Sequence, residues 1–365
     1  MTDHRQIISQ FVLEGTFLSA QPFGSGHIND TFLVTMERRD SSRYQVILQR
    51  MNRNVFRDPA ALMENMVSVT SYLQQMLRRT GGDPERETLC VICANDGKPY
   101  HIVDGEYWRC TRHIQNARTY DRVETPEDFY QSAVAFGRFQ RLLADYPAHT
   151  LHETIPGFHD TPARFAAFCK AVEADVCGRA DDVRSEIDFY MAHEALANVF
   201  SRLLAEKKIP LRVTHNDTKL NNVMIDDATR KAICVIDLDT VMPGLSMNDF
   251  GDAIRFGANT ADEDEPDLSK VWLDLSLYEA YTRGFMEGCA GQLTADEIAL
   301  LPMGAKAMTL ECGMRFLTDY LQGDVYFKTH RPGHNLDRCR THIKLLQDME
   351  ANWDAMNAIT AKYSQ

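Results

Sequence analysis

One stretch of this 365-residue chain restricts its possible folds more than any other. It is His215-Asn216-Asp217-Thr218-Lys219-Leu220-Asn221-Asn222, followed by Val235-Ile236-Asp237-Leu238-Asp239. Between the two pieces lie apolar Val223-Met224-Ile225, polar Asp226 to Arg230, and a second apolar run ending at Ile236. That alternation reads as a β-hairpin. Folding about its turn brings Asn222 and Asp237 to matching heights on neighbouring strands. An amide oxygen and a carboxylate there suit magnesium, which takes hard oxygen ligands and few of them from protein. Asp217 then has the place of a base that accepts a nucleophile's proton, which completes what phosphoryl transfer needs. Asp and Asn are ordinary turn residues, so either half alone says little. Both halves in this order make a kinase-like active site the expected reading, with ATP and Mg2+ as its cofactors.

The charge balance narrows the partners. There are 39 basic and 52 acidic residues, for a net charge of -13, which argues against nucleic acid and against anionic lipid surfaces. The start, Met1-Thr2-Asp3-His4-Arg5-Gln6, has no apolar signal core, and no apolar run approaches membrane-spanning length. A cytoplasmic monomer acting on a small molecule is expected. Cys90 and Cys93 form a lone C-x-x-C in an apolar, strand-like run without a second pair, so core packing is expected there rather than zinc.

Strand-like runs cover 10–18, 31–36, 44–48, 87–94 and 108–114, with a helical stretch at 60–79 after the third. From Thr125 onward the pattern is helical, at 126–144, 161–176 and 188–207, apart from the hairpin. The expected fold is α+β, bilobal and kinase-like. Residues 1–115 form a nucleotide-binding lobe, with a five-stranded antiparallel sheet and one helix. Residues 116–365 form a mostly helical catalytic and substrate lobe. An adenine base is expected against the backbone at the boundary, at Ile114.

Gly24 and Gly26 lie between the first two strands, where a glycine turn lets backbone N–H groups approach phosphates; His27 follows them. Kinase-like folds carry a phosphate-binding lysine at the end of the third strand. Here Gln49 stands in that place, and Glu64 is the nearest counterpart of the lysine's helical glutamate. Lys219 is the nearest cation to the proposed base. Asp249-Phe250-Gly251 spells a known metal-binding tripeptide but lies 32 residues after Asp217, against 20 for Asp237. A helix N-cap, or a brace for the catalytic loop through His215, is the expected role of Asp249.

A helix over 309–320 places Glu311, Arg315 and Asp319 at i, i+4 spacing. From spacing alone Arg315 reads as a surface ion pair, worth about 0.3–0.5 kcal/mol.

The chain resembles the aminoglycoside phosphotransferase and choline kinase superfamily, and within it the branch that phosphorylates N-acetylhexosamines at C1. The resemblance runs nearly end to end. It is carried by Gly26-His27-Ile28-Asn29, by the 211–222 and 236–240 segments, by Asp249-Phe250-Gly251-Asp252 and by residues 311–317. It implies transfer of the ATP γ-phosphate to the anomeric hydroxyl of N-acetylglucosamine or N-acetylgalactosamine (GlcNAc/GalNAc). It implies Asp217 as base, Asn222 and Asp237 as magnesium ligands, and His27, Arg315 and Tyr326 as sugar contacts. A glutamine at position 49 is also what this branch implies. Two other readings stay open: a kinase of a different small alcohol or sugar, and a nucleotide-binding scaffold without catalysis.

Overall fold

A computed structural model describes residues 3–24 and 28–364. The chain divides into two compact units. The first comprises 1–119, 145–156 and 223–242, and the second 120–144, 157–222 and 243–365. The expected single cut after residue 115 is therefore replaced by an interleaved division. The cause is the hairpin, whose core residues Met224 and Cys234 pack on Ile114 and beside Leu89 and Ala117.

In the first unit, helix α1 (His4–Ile8) precedes strands β1 (Thr16–Pro22), β2 (Asp30–Glu37) and β3 (Arg43–Arg50). Helix α2 (Pro59–Thr80) follows, and then β4 (Val91–Ile92), β5 (His101–Val103), β6 (Glu106–Arg112) and β7 (Ala117–Arg118). The antiparallel sheet runs β1-β2-β3-β6-β4, with β5 also paired to β6. A short sixth strand thus joins the five expected. The first strand starts later than its sequence suggests. Asp3 caps α1 through the N–H groups of Arg5 and Gln6, and Gly15, at φ 89°, turns the chain into β1.

Strict alternation on β2 and β3 puts Val34, Met36, Val46 and Leu48 on one face, buried with Ile7, Ile8, Trp108 and Cys110. Helix α2 starts at the Asp58 cap with Pro59 in its first turn and ends at Gly81, at φ 78°. Its stripe of Leu62, Met66, Val69, Leu73 and Leu77 is buried.

The second unit is built from α3 (Pro126–Leu142), α4 (Thr161–Ala174), α5 (Arg184–Ala192), α6 (Glu194–Ala197), α7 (Val199–Ala205) and strand β8 (Arg212–Thr214). After it come α8 (Ser246–Gly257), α9 (Leu275–Cys289), α10 (Ala295–Leu321), α11 (His334–Ala351) and α12 (Trp353–Lys362). The helix expected over 188–207 is three pieces, because His193 and Asn198 leave helical geometry at φ near -100°. Conversely, α10 begins well before the expected 309 and runs through Pro302. Its start is fixed by a capping box between Thr294 and Glu297.

Helices α8 and α10 touch backbone to backbone. A Cβ on Gly251 would sit 2.2 Å from the Gly304 carbonyl oxygen, and one on Gly304 would sit 2.2 Å from that of Met247. Among the described residues no helix is long and apolar enough to cross a membrane.

Candidate active site

Strand β8 delivers the loop from His215 to Asn222, which crosses to the hairpin strands β9 (Val223–Asp226) and β10 (Ala232–Val235). Lys219 Nζ lies 2.8 Å from Asp217 Oδ1, and Asn222 Nδ2 donates to Asp217 Oδ2 at 3.1 Å and to the Asp217 carbonyl at 2.8 Å. Three of the residues singled out from sequence therefore meet on one carboxylate. Asn222 commits its amide nitrogen to Asp217, so its oxygen, the atom a hard cation takes, is not used in that contact. Burial disfavours charge on Lys219, but the carboxylates of Asp217 and Asp252 outweigh it and raise its pKa.

Helix α8 holds this loop by its backbone. Asp249 Oδ2 accepts from the His215 N–H at 2.9 Å, and its Oδ1 accepts from the Asn216 N–H at 2.8 Å. Gln140 adds a third donor at 2.8 Å. Asp249 lies inside the helix and not at its cap, so the brace is its observed role. Its pKa is raised by burial, against these hydrogen bonds. One turn on, Asp252 Oδ2 accepts from the Thr218 N–H at 3.1 Å, while its Oδ1 takes Arg255. Burial opposes charge on Asp252, yet Arg255 and Lys219 hold its carboxyl below the usual range.

With its backbone pinned on both sides, Asn216 sits at φ 64°, a conformation that non-glycine residues rarely adopt. Among the described residues, Glu263, Cys312 and His342 are the one close group of metal-type side chains. Arg255 already reaches Glu263 at 3.0 Å and His342 at 3.3 Å, so a cation is in place.

Asp237 lies in the first unit, at φ 57° and ψ 58°, as the entry to a 3-10 turn over Leu238–Thr240. Strand β9 pairs antiparallel with β10, matching Val223 to Val235. Asn222 is the residue before Val223, and Asp237 lies two after Val235, so both leave the same end of the hairpin. An amide oxygen and a carboxylate are the donor chemistry that magnesium accepts.

Gly24 takes φ 80° with open space where a Cβ would be. Gly26 and His27 lie outside the described residues. The Ile114 side chain is buried against Met224 and Cys234. Gln49 is present in the expected third-strand place, whereas Glu64 turns to His152 at 2.7 Å with both side chains largely exposed. Cys93 is exposed and Cys90 half-buried, which overturns core packing for Cys93.

Arg315 does not form the surface ion pairs that its spacing suggests. Glu311 instead binds His159 Nδ1 at 2.9 Å and Thr161 Oγ1 at 2.5 Å. Asp319 accepts from the N–H groups of Val325, Tyr326 and Phe327 at 2.7–2.9 Å, and from Asn335 at 2.8 Å. Both carboxylates are thus hydrogen-bonded to other groups, and the Arg315 guanidinium lies 5.9 Å from the Tyr326 ring and 5.4 Å from that of Phe327. Tyr326 is 69% exposed. Sequence reading passed over His159, whose Nε2 also reaches the Asn216 carbonyl at 3.4 Å. No local pattern could have shown that contact.

Residues 19–283 match the model of a phosphotransferase enzyme family. The chain belongs to that family. Solved structures with the same fold include a microcompartment-associated aminopropanol kinase, at 16% identity and TM-score 0.58, covering 97% of each chain. An aminoglycoside phosphotransferase from Alicyclobacillus acidocaldarius matches at 11% identity and TM-score 0.60, over 99% of this chain and 97% of that one. A choline kinase from Cryptosporidium parvum matches at 12% and 0.55, over 95% and 93%. At these identities the likeness establishes the fold: a kinase-like α+β architecture with an antiparallel N-terminal sheet and a helical C-terminal part.

Proposed function

We propose that this phosphotransferase moves the γ-phosphate of ATP to the anomeric hydroxyl of N-acetylglucosamine or N-acetylgalactosamine, giving the sugar 1-phosphate. The observation that carries the chemistry is the Asp217 carboxylate, held between the Lys219 ammonium and the Asn222 amide. Asp217 accepts a hydrogen bond from the attacking hydroxyl and takes its proton as the new P–O bond forms. An anomeric hydroxyl is more acidic than an ordinary alcohol, so a carboxylate of modest basicity suffices. Lys219 stands beside the reacting centre and balances negative charge on the transferred group. Asn222 and Asp237 are the residues that would hold magnesium, which neutralises the phosphate oxygens when bound.

The choice of acceptor is supported by the sequence resemblance over residues 311–317 and by the Arg315 guanidinium, which forms no salt bridge among the described residues and lies against the exposed Tyr326 ring. With His27, these groups fix the sugar and make its reaction effectively unimolecular. The same reading gives Gly24, Gly26 and the backbone at Ile114 to the nucleotide. It also makes the chain a cytoplasmic monomer, which light scattering checks.

Phosphorus NMR of the purified protein with Mg-ATP and single acceptors tests the proposal. The acceptors are N-acetylglucosamine, N-acetylgalactosamine, galactose, choline and an aminopropanol. A new sugar 1-phosphate resonance, strongest with the N-acetyl sugars, is the expected result. Product only from an amino alcohol would transfer the same chemistry to that acceptor class. Nucleotide binding without product from any acceptor would leave a scaffold.

A further inference from the structure

Gln49 stands where kinase-like folds place a lysine, and its surroundings show where the missing charge has gone. Gln49 and Arg109 are cross-strand partners on β3 and β6. Gln49 Oε1 accepts from Arg109 Nε at 2.9 Å, and Gln49 Nε2 donates to Thr31 Oγ1 at 2.9 Å. The Arg109 guanidinium then grips Asp239 with both terminal nitrogens: Nη1 on Oδ1, and Nη2 on Oδ2 at 3.0 Å. Asn29, just before β2, adds a 2.7 Å hydrogen bond to the same Oδ2. The Arg109 and Asp239 side chains are only 2% and 3% exposed.

Asp239 belongs to the 3-10 turn that Asp237 opens. That turn is also held by its backbone, for Thr154 Oγ1 donates to the Asp239 carbonyl at 3.2 Å and Asn65 Nδ2 to the Val241 carbonyl at 3.2 Å. Arg109 has Nε on Gln49 and both Nη atoms on Asp239, so its charge faces the turn and not a phosphate. A buried ion pair is a poor device for stability alone, because an apolar pair of similar volume often does as well. A bidentate guanidinium–carboxylate pair does fix orientation.

We propose that Arg109, oriented by Gln49 and gripping Asp239, is a positioning residue that sets the left-handed backbone of Asp237 for metal binding. It takes over the structural duty of the absent lysine–glutamate couple. The proposal rests on the reading of Asp237 as a metal ligand.

The test is Mn2+ binding in the presence of ATP, followed by electron paramagnetic resonance, with melting temperature measured alongside. Arg109→Lys keeps the charge, so it folds, but it loses the two-pronged grip. It should weaken Mn2+ binding by about 10–100-fold, the range for lost supports of metal ligands. The pair Gln49→Lys with Arg109→Met moves the cation back to the third strand and should restore most of that loss. The apolar pair Arg109→Met with Asp239→Leu should melt near wild type yet bind Mn2+ as weakly as Arg109→Lys. Unchanged Mn2+ affinity in Arg109→Lys, whatever its melting temperature, would overturn the positioning role while leaving Asp237 in place. A wild-type protein that binds ATP but no Mn2+ would overturn the assignment of Asp237, and the proposal with it.

Discussion

Asp249 receives the backbone N–H groups of both His215 and Asn216, one on each carboxylate oxygen. The loop that carries Asp217 is therefore shaped from a helix 32 residues away in sequence, and its geometry depends on a fully buried carboxylate. We predict that Asp249→Ala costs about 2–5 kcal/mol, because two buried N–H groups and the Gln140 amide lose their acceptor. Urea unfolding measures this. A loss within about 0.5 kcal/mol would mean that water replaces the carboxylate.

Asp217→Asn should lower kcat by about 10²–10⁴-fold, the usual worth of a positioned base, with ATP affinity nearly unchanged. Lys219→Met should lower kcat by about 10²–10³-fold through lost charge stabilisation. Steady-state kinetics and calorimetric ATP binding separate the two effects. Full turnover in a wild-type-free preparation of the Asn variant would remove Asp217 from its role.

The pair His159–Glu311 gives a pH prediction with opposite signs at its two ends. Burial disfavours the His159 cation, but Glu311 outweighs it and raises the histidine pKa. The stabilisation from His159 is thus complete below its unfolded pKa, about 6.5, and is lost as pH rises through the higher folded value. Burial also opposes the Glu311 anion, yet His159 holds its pKa below the usual carboxylate range. Its stabilisation is present above the unfolded value, about 4.3, and is lost as pH falls through the folded one. Melting temperature should therefore decline as pH rises above about 6.5. Glu311→Gln should flatten that decline and cost about 3–5 kcal/mol, typical of a broken buried pair. Identical alkaline profiles for wild type and variant would refute the assignment.

Arg315→Ala should raise the acceptor KM by about 10–100-fold, corresponding to one lost charged hydrogen bond, without altering the KM for ATP. Tyr326→Ala, at an exposed ring, should act in the same direction with little change in melting temperature. A rise in ATP KM instead would assign Arg315 to the nucleotide.

The contrast between Arg315 and Arg109 shows what the sequence could and could not carry. The hairpin was legible because its strands alternate around a polar turn, and Asp217, Lys219 and Asn222 are close enough along the chain to meet. Spacing misread Arg315, since it could not show that Glu311 and Asp319 face His159 and a loop backbone. Arg109 looked like one more residue of a strand, because its partner lies 130 positions away. Gln49 showed only that the third-strand lysine is replaced, because its partner Arg109 lies across the sheet. Asp252 and His159 share that property, since each holds the 215–222 loop through a contact that only the folded chain creates.

The glycine-to-glycine approach of α8 and α10 has a consequence for how this protein can change. One helix of the pair fixes the backbone of His215 and Asn216, and the other leads into the segment that displays Tyr326. Because Gly251 and Gly304 leave no room even for a methyl group, neither position accepts a larger residue without forcing the helices apart. On the proposed reading, new acceptor preferences are therefore most accessible through exposed Val325 and Tyr326, whose backbone N–H groups donate to Asp319 whatever their side chains. Diversity is cheap at the tip of α10 and prohibitive at its crossing.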